Sequence, residues 1–183
     1  MYSIHPLIKK IVFSQEEIEK ATLDLSEWVN QTYKDSKDLI IVGLLKGSIP
    51  FLAQLIKNVT VDHSLDFMTT SSYQGATSSS GSVKIIMDLA QDIKNKDILI
   101  VEDIIDSGIT LSKIKNLLLT RKPKSLKILT LMDKPTGRKI ELVPDKFGLL
   151  APDEFLVGFG LDYDEKMRNL PYIGVFDIEK VKK

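Results

Sequence analysis

The stretch Ile98-Leu99-Ile100-Val101-Glu102-Asp103-Ile104-Ile105-Asp106-Ser107-Gly108-Ile109-Thr110-Leu111 decides how this chain folds. Its first four residues are apolar without polar alternation, which suits a strand buried on both faces of a parallel sheet. The strand runs into two adjacent carboxylates, Glu102 and Asp103, and a third, Asp106, follows after two apolar residues. Ser107, Gly108, Ile109 and Thr110 then lead into a helical stretch that continues to Thr120. In open α/β sheets, ligands bind beyond the carboxyl ends of the strands. A loop entering a helix there presents free backbone N–H groups and the positive end of the helix dipole. The segment therefore reads as an anion site, with phosphate as the anion. Gly108 lets the backbone approach it, and the hydroxyls of Ser107 and Thr110 can donate to its oxygens.

The same segment excludes two better-known phosphate sites. The Gly-Lys-Ser/Thr of the ATP-binding loop is missing, and a single glycine does not make a dinucleotide fingerprint. Three acids beside a phosphate cradle call for a cation or a sugar. Magnesium bound together with the substrate's own phosphates meets that need, and so do ribose hydroxyls. A lone Asp-Ser-Gly would be read as a capped helix with surface acids; the whole segment points instead to a ligand.

Working outward, residues 39–45 (LIIVGLL) and 126–131 (LKILTL) are apolar runs like residues 98–101. Helical stretches are expected near residues 49–57 and 111–120. Ser14-Gln15-Glu16-Glu17 has the form of a capping box. Ile18, Ala21, Leu25, Trp28 and Val29 follow at helical spacing, so a helix is expected from about residue 15 to 33. Strands alternating with helices imply an α/β doubly wound parallel sheet flanked by helices. Residues 65–70 and 83–87 are two further strands, and the small, polar, glycine-punctuated stretch between them reads as either a surface hairpin or a lid.

Composition narrows the function. The chain has 183 residues, 43% hydrophobic and 27% charged, which suits a single domain with a sizeable core. Twenty-five basic residues balance twenty-five acidic ones, so no global field draws the chain to nucleic acid or to an anionic membrane. With no cysteine, disulfides, thiolate metal sites and cysteine nucleophiles are excluded. The N-terminal residues lack the apolar core of a signal peptide, and no apolar run is long enough to span a bilayer; the cytoplasm is the expected location. His5 and His63 lack acid or hydroxyl partners nearby and read as structural. Lys180, Lys182 and Lys183 read as a solvated tail.

Several motifs in fixed order resemble the type I phosphoribosyltransferases, in their hypoxanthine-guanine branch. Val-Glu-Asp-Ile-Ile-Asp-Ser-Gly followed by Thr-Leu is similar to that branch's pyrophosphate-sugar signature. Leu44-Leu45-Lys46-Gly47-Ser48 resembles its pyrophosphate loop, and Ser72-Tyr73 the start of its mobile lid. Asp133-Lys134 resembles its purine-reading lysine site, and Phe155 to Tyr163 its base-stacking strand. Arg168, one of three arginines, stands where the family has one that contacts pyrophosphate. Ser107, Leu156 and Gly160 replace a threonine, a valine and an alanine that are frequent in the family. None of the three changes removes a group the reaction needs, but Leu156 bears on the choice among oxopurines.

The resemblance implies a parallel core over about residues 35–150, with a small hood from the N-terminal segment and part of the C-terminal region. The expected activity is transfer of the phosphoribosyl group of phosphoribosyl pyrophosphate to a 6-oxopurine. Glu102, Asp103 and Asp162 would meet magnesium, and the first two also the ribose hydroxyls. Ser107 to Thr110 would hold the 5-phosphate, and Lys46, Gly47 and Arg168 the pyrophosphate, with a cis peptide between Leu45 and Lys46. Asp106 would be the general acid–base. Lys134 would bind the exocyclic oxygen of the base, Phe155 would stack on its ring, and the lid from Ser72 and Tyr73 to about Ser82 would exclude water. A homodimer or homotetramer is implied. Two other readings stay open: a transferase acting on xanthine or a pyrimidine, and a regulator that senses phosphoribosyl pyrophosphate. Against the regulator stand Asp106 and Lys134 and the lack of a basic stripe.

Overall fold

In the computed structural model, residues 3–72 and 83–181 are described. Tyr73 and nearly all of the expected lid lie outside them. In chain order the elements are β1 (Ile8–Phe13), α1 (Gln15–Thr32), β2 (Leu39–Leu45), α2 (Ile49–Ile56), β3 (His63–Ser72), β4 (Val83–Met87), β5 (Asp97–Ile105), α3 (Ile109–Thr120), β6 (Ser125–Asp133), β7 (Lys146–Leu150), β8 (Leu156–Val157) and β9 (Ile173–Phe176). Six strands form the main sheet in the order β4-β3-β2-β5-β6-β7. All neighbours in it are parallel except β4, which pairs antiparallel with β3 at the edge. The expected parallel sheet therefore carries one antiparallel edge strand.

The apolar runs are continuous because both faces of the sheet are covered. Along β2, Leu39 and Ile41 face a core with Leu25 and Val29 of α1 and Leu52 and Leu55 of α2. Ile40, Val42 and Leu44 face the opposite core with Leu111, Ile114 and Leu118 of α3. Period-two alternation thus sends successive residues to two different cores, and neither can be polar. The capping box of α1 forms as read: Glu17 N donates to Ser14 Oγ at 3.2 Å and Ser14 N to Glu17 Oε2 at 2.8 Å.

From β2 the chain crosses to β3 on one side, and from β5 to β6 on the other. Order reverses between β2 and β5, so a crevice opens at their carboxyl ends. A second sheet, β1-β9-β8, joins the N-terminal segment to two C-terminal strands. The strand expected from Phe155 to Tyr163 is shorter than the resemblance suggested. It ends at Val157, because Gly158, Phe159 and Gly160 all take positive φ (102°, 45° and 101°) and turn the chain. The two histidines are structural: His5 Nδ1 accepts from Leu7 N, and His63 Nδ1 lies 2.8 Å from Val61 O.

Candidate active site

Three chain segments close on one another at the β2–β5 crevice. Lys46 and Gly47 follow the end of β2, and the Leu45–Lys46 peptide is cis. Gly47 lies so near the end of β5 that a Cβ on it would stand 1.8 Å from Asp103 Oδ2. Gly160 in turn presses on Gly47, since its Cβ would stand 2.0 Å from the Gly47 carbonyl oxygen. These contacts bring the turn after β8 against the loop after β2. Arg168 spans that turn: Nη1 donates to Gly160 O at 2.7 Å, and Nη2 meets Asp162 at 2.9 Å and Glu165 at 3.2 Å. Lys46 Nζ reaches Glu165 as well, at 2.6 Å.

The paired carboxylates at the end of β5 are unfavourably placed for charge. Burial pushes the Asp103 carboxyl up to about 6, helped by the nearby Asp162 charge and opposed by the Ile104 N–H and Arg168. Burial pushes Glu102 well above the ordinary range, and the Asp103 charge adds to this. Glu102 Oε2 is buried with no hydrogen-bond partner among the described residues. A cation would satisfy both groups. No cluster of three or more metal-binding side chains occurs among the described residues. A site of this kind suits magnesium, which takes one or two carboxylates and completes its shell with water and substrate phosphate.

The loop from β5 to α3 lines a cavity of about 160 Å³ with Glu102, Asp106, Ser107, Gly108 and Thr110. Gly108 takes φ 76°, a conformation open to glycine, and gives α3 no side-chain cap. Ser107 Oγ accepts from Ile109 N at 3.4 Å. The first turn of α3 thus faces a cavity that also holds two carboxylates.

The last cluster lies where β6 ends. Lys134 Nζ donates to Glu154 O at 3.2 Å and lies 3.6 Å from Asp153 and 3.8 Å from Asp106 Oδ2, with its side chain 13% exposed. Phe155 is 55% exposed, and its ring packs edge-on against Phe176 and Tyr163. Leu156 turns its side chain into the core and does not present it to the site. Ser72 ends β3, and its side chain, like all of Tyr73, is outside what the structure describes. Phe155 stands just before β8 and Leu156 within it, and the other expected site residues lie along the carboxyl ends of β2, β5 and β6 or on the turn after β8.

Known proteins share this fold. The family model of the phosphoribosyl transferase domain matches residues 10–164. The chain belongs to the phosphoribosyl transferase family. It is 52% identical to a hypoxanthine-guanine phosphoribosyltransferase of Bacillus subtilis over 168 residues, 92% of this chain and 93% of that protein. It is 48% identical to a hypoxanthine phosphoribosyltransferase of Escherichia coli over 166 residues, 90% of this chain and 93% of that protein. The crystal structure of a hypoxanthine phosphoribosyltransferase from Staphylococcus aureus superposes with a TM-score of 0.92 at 45% identity, covering 98% of each chain.

In this phosphoribosyl transferase the site also draws in residues that the sequence reading passed over. Arg138 donates from Nε to the Asp106 carbonyl at 3.0 Å and pairs with the Asp133 carboxylate and the Leu142 carbonyl. It ties the loop that carries Asp106 to the end of β6. The rarity of arginine that singled out Arg168 applied equally to Arg138. Gly137 leaves room for Asp106: a Cβ there would stand 1.5 Å from Asp106 Oδ1, so any side chain would turn that carboxylate away. Asp153 and Glu165 are the remaining additions.

The buried carboxylates should cost the phosphoribosyl transferase stability. Glu102 has a raised pKa in the fold, so its contribution is present at low pH and is lost as pH rises through the folded value. Glu102→Gln lacks that loss. With chelator present, its melting temperature should exceed the parent's, and by more at about pH 8 than at about pH 5. Thermal melts at the two pH values check this; an equal or reversed difference would show that Glu102 is not strained by burial.

Proposed function

We infer that the protein is a hypoxanthine-guanine phosphoribosyltransferase of purine salvage. It transfers the 5-phosphoribosyl group of phosphoribosyl pyrophosphate to hypoxanthine or guanine, giving IMP or GMP and pyrophosphate. The observation that carries the choice of base is the Lys134–Asp106 pair, an ammonium and a carboxylate 3.8 Å apart beside an exposed aromatic ring. A 6-oxopurine presents its oxo group and N7 side by side on one edge. With N7 protonated, that edge offers an acceptor beside a donor, the complement of Lys134 beside Asp106. Phe155 supplies the flat surface a purine stacks on.

In this reading Ser107 to Thr110 and the first turn of α3 hold the 5-phosphate. Glu102 and Asp103 take the ribose hydroxyls and magnesium, and Asp162 lies on the pyrophosphate side. Magnesium, when bound, neutralises charge on the departing pyrophosphate. Lys46, the Gly47 backbone and Arg168 hold the same group, so the negative charge that builds as the anomeric bond breaks meets fixed positive partners. Asp106 takes the proton from N7 as N9 attacks, and returns it in the reverse reaction.

The test is an assay of each purine base with phosphoribosyl pyrophosphate and magnesium, with nucleotides separated by chromatography. IMP and GMP are expected; formation of neither would defeat the reading. Chelating magnesium should abolish transfer, and Glu102→Ala combined with Asp103→Ala should raise the magnesium concentration needed for half-maximal rate. Full activity after exhaustive chelation would remove the metal from the reaction. No described helix is long and apolar enough to cross a membrane, and we place the enzyme in the cytoplasm as a homodimer or homotetramer, which sedimentation would measure.

A further inference from the structure

The turn between Tyr163 and Lys166 carries an unexpected residue. Tyr163 and Lys166 exchange backbone hydrogen bonds at 3.1 and 3.0 Å. The two residues between them, Asp164 and Glu165, both take positive φ, 51° and 62°. Positive φ at both central positions is the demand of a type I′ turn, which Asn-Gly and Asp-Gly meet with least strain. Aspartate tolerates that backbone; glutamate is not among the residues that visit it routinely. The side chain held there divides its two oxygens between two cations. Oε2 lies 2.6 Å from Lys46 Nζ, and Oε1 lies 3.2 Å from Arg168 Nη2. Asp162 braces the turn, accepting from Glu165 N at 2.9 Å while its other oxygen pairs with Arg168.

Lys46 comes from the loop after β2 and Arg168 from the turn after β8, and Glu165 is the one carboxylate among the described residues that pairs with both. A diphosphate that takes both cations meets Glu165 already on them. Two anions cannot share the same donors without repulsion, so one has to leave. We propose that Glu165 is an internal competitor for the pyrophosphate group: its carboxylate must be displaced from Lys46 and Arg168 when phosphoribosyl pyrophosphate binds, and it returns as pyrophosphate departs. The proposal rests on the reading that places pyrophosphate on these two residues. Exposed ion pairs are weak, so Glu165 yields to the more highly charged diphosphate. It weakens the hold on substrate and product alike, and it favours release of the product, a step that limits many enzymes.

A purely structural role predicts the opposite sign. If Glu165 served only to hold Lys46 and Arg168 in place, its removal would weaken diphosphate binding. The test uses Glu165→Gln, which removes the charge, and Glu165→Gly, which removes the side chain and suits the observed φ. Calorimetry with pyrophosphate in the presence of magnesium should give a dissociation constant lower by about three- to tenfold in both variants. The KM for phosphoribosyl pyrophosphate should fall in parallel, while the KM for hypoxanthine stays unchanged. The proposal is overturned if either variant leaves pyrophosphate binding unchanged or weaker. Arg168→Ala separates the two levels of the reading. If it weakens pyrophosphate binding and the Glu165 variants do not tighten it, the competitor role alone fails. If Arg168→Ala leaves binding intact, the placement of pyrophosphate fails, and the proposal with it.

Discussion

Replacing Asp106 by asparagine should lower kcat by about 10²–10⁴, the usual contribution of a positioned general acid–base group, while leaving the fold and nucleotide binding in place. Asparagine keeps the size of the side chain and an oxygen that accepts hydrogen bonds, but it cannot take a proton near neutral pH. The Asp106 side chain is 54% exposed, so it contributes little packing, and exposed substitutions usually shift stability by no more than about 0.5 kcal/mol. Its backbone is held independently of the carboxylate, because Arg138 takes the Asp106 carbonyl. The loop should therefore keep its course in the variant. Gly137, which packs against the carboxylate without a side chain, leaves equal room for the amide. A steady-state assay with a parallel titration of GMP separates the two effects. A kcat within tenfold of the parent would take Asp106 out of the proton transfer. A loss of GMP binding as large as the loss of rate would make it a binding group instead.

Which parts of this molecule can be read from the chain follows from what each part depends on. β2 and β5 are legible because burial on both faces forces every residue to be apolar, and that constraint is local. The α3 cradle is legible because carboxylates, hydroxyls and a glycine follow a buried strand in a few residues. The second sheet is different: Ile8 pairs with Phe176 and Phe13 with Ile173, a join between distant ends that no local period announces. Only a hood made of these two chain ends was foreseen, not the sheet that joins them. β7 escaped notice because it is a half-exposed strand at the sheet edge and carries neither a continuous apolar run nor a clean alternation. Arg138 was passed over for a related reason. Three of its partners are the backbone carbonyls of Ile105, Asp106 and Leu142, and a carbonyl has no signature in sequence. The resemblance carries a strand from Phe155 through to Tyr163, whereas only Leu156 and Val157 form one. The left-handed backbone of Phe159 and Glu165 is not one these side chains ask for, so the turn has no signature in the sequence.

The parent enzyme should use hypoxanthine and guanine and refuse adenine, and Lys134 carries the argument. An ammonium group has three donors and no acceptor. Around Lys134 the structure sets acceptors only: the Glu154 carbonyl at 3.2 Å, Asp153 at 3.6 Å and Asp106 at 3.8 Å. The 6-oxo oxygen of hypoxanthine or guanine adds one more acceptor to that set. Adenine would bring an amino group to the same place, so donor would face donor, and the little exposure of Lys134 leaves scant room for water to intervene. Sites built around one polar contact reject the wrong analogue by as much as ~10⁴–10⁵ for this reason. Lys134→Ala should therefore cut kcat/KM for both oxopurines and narrow the gap to adenine, mainly by losing the good substrates. The KM for phosphoribosyl pyrophosphate should change little, because Lys134 shares no partner with Lys46 or Arg168. Measured kcat/KM for hypoxanthine and adenine in parent and variant decides the matter. If the parent's value for adenine came within tenfold of that for hypoxanthine, Lys134 would not be the group that selects the base.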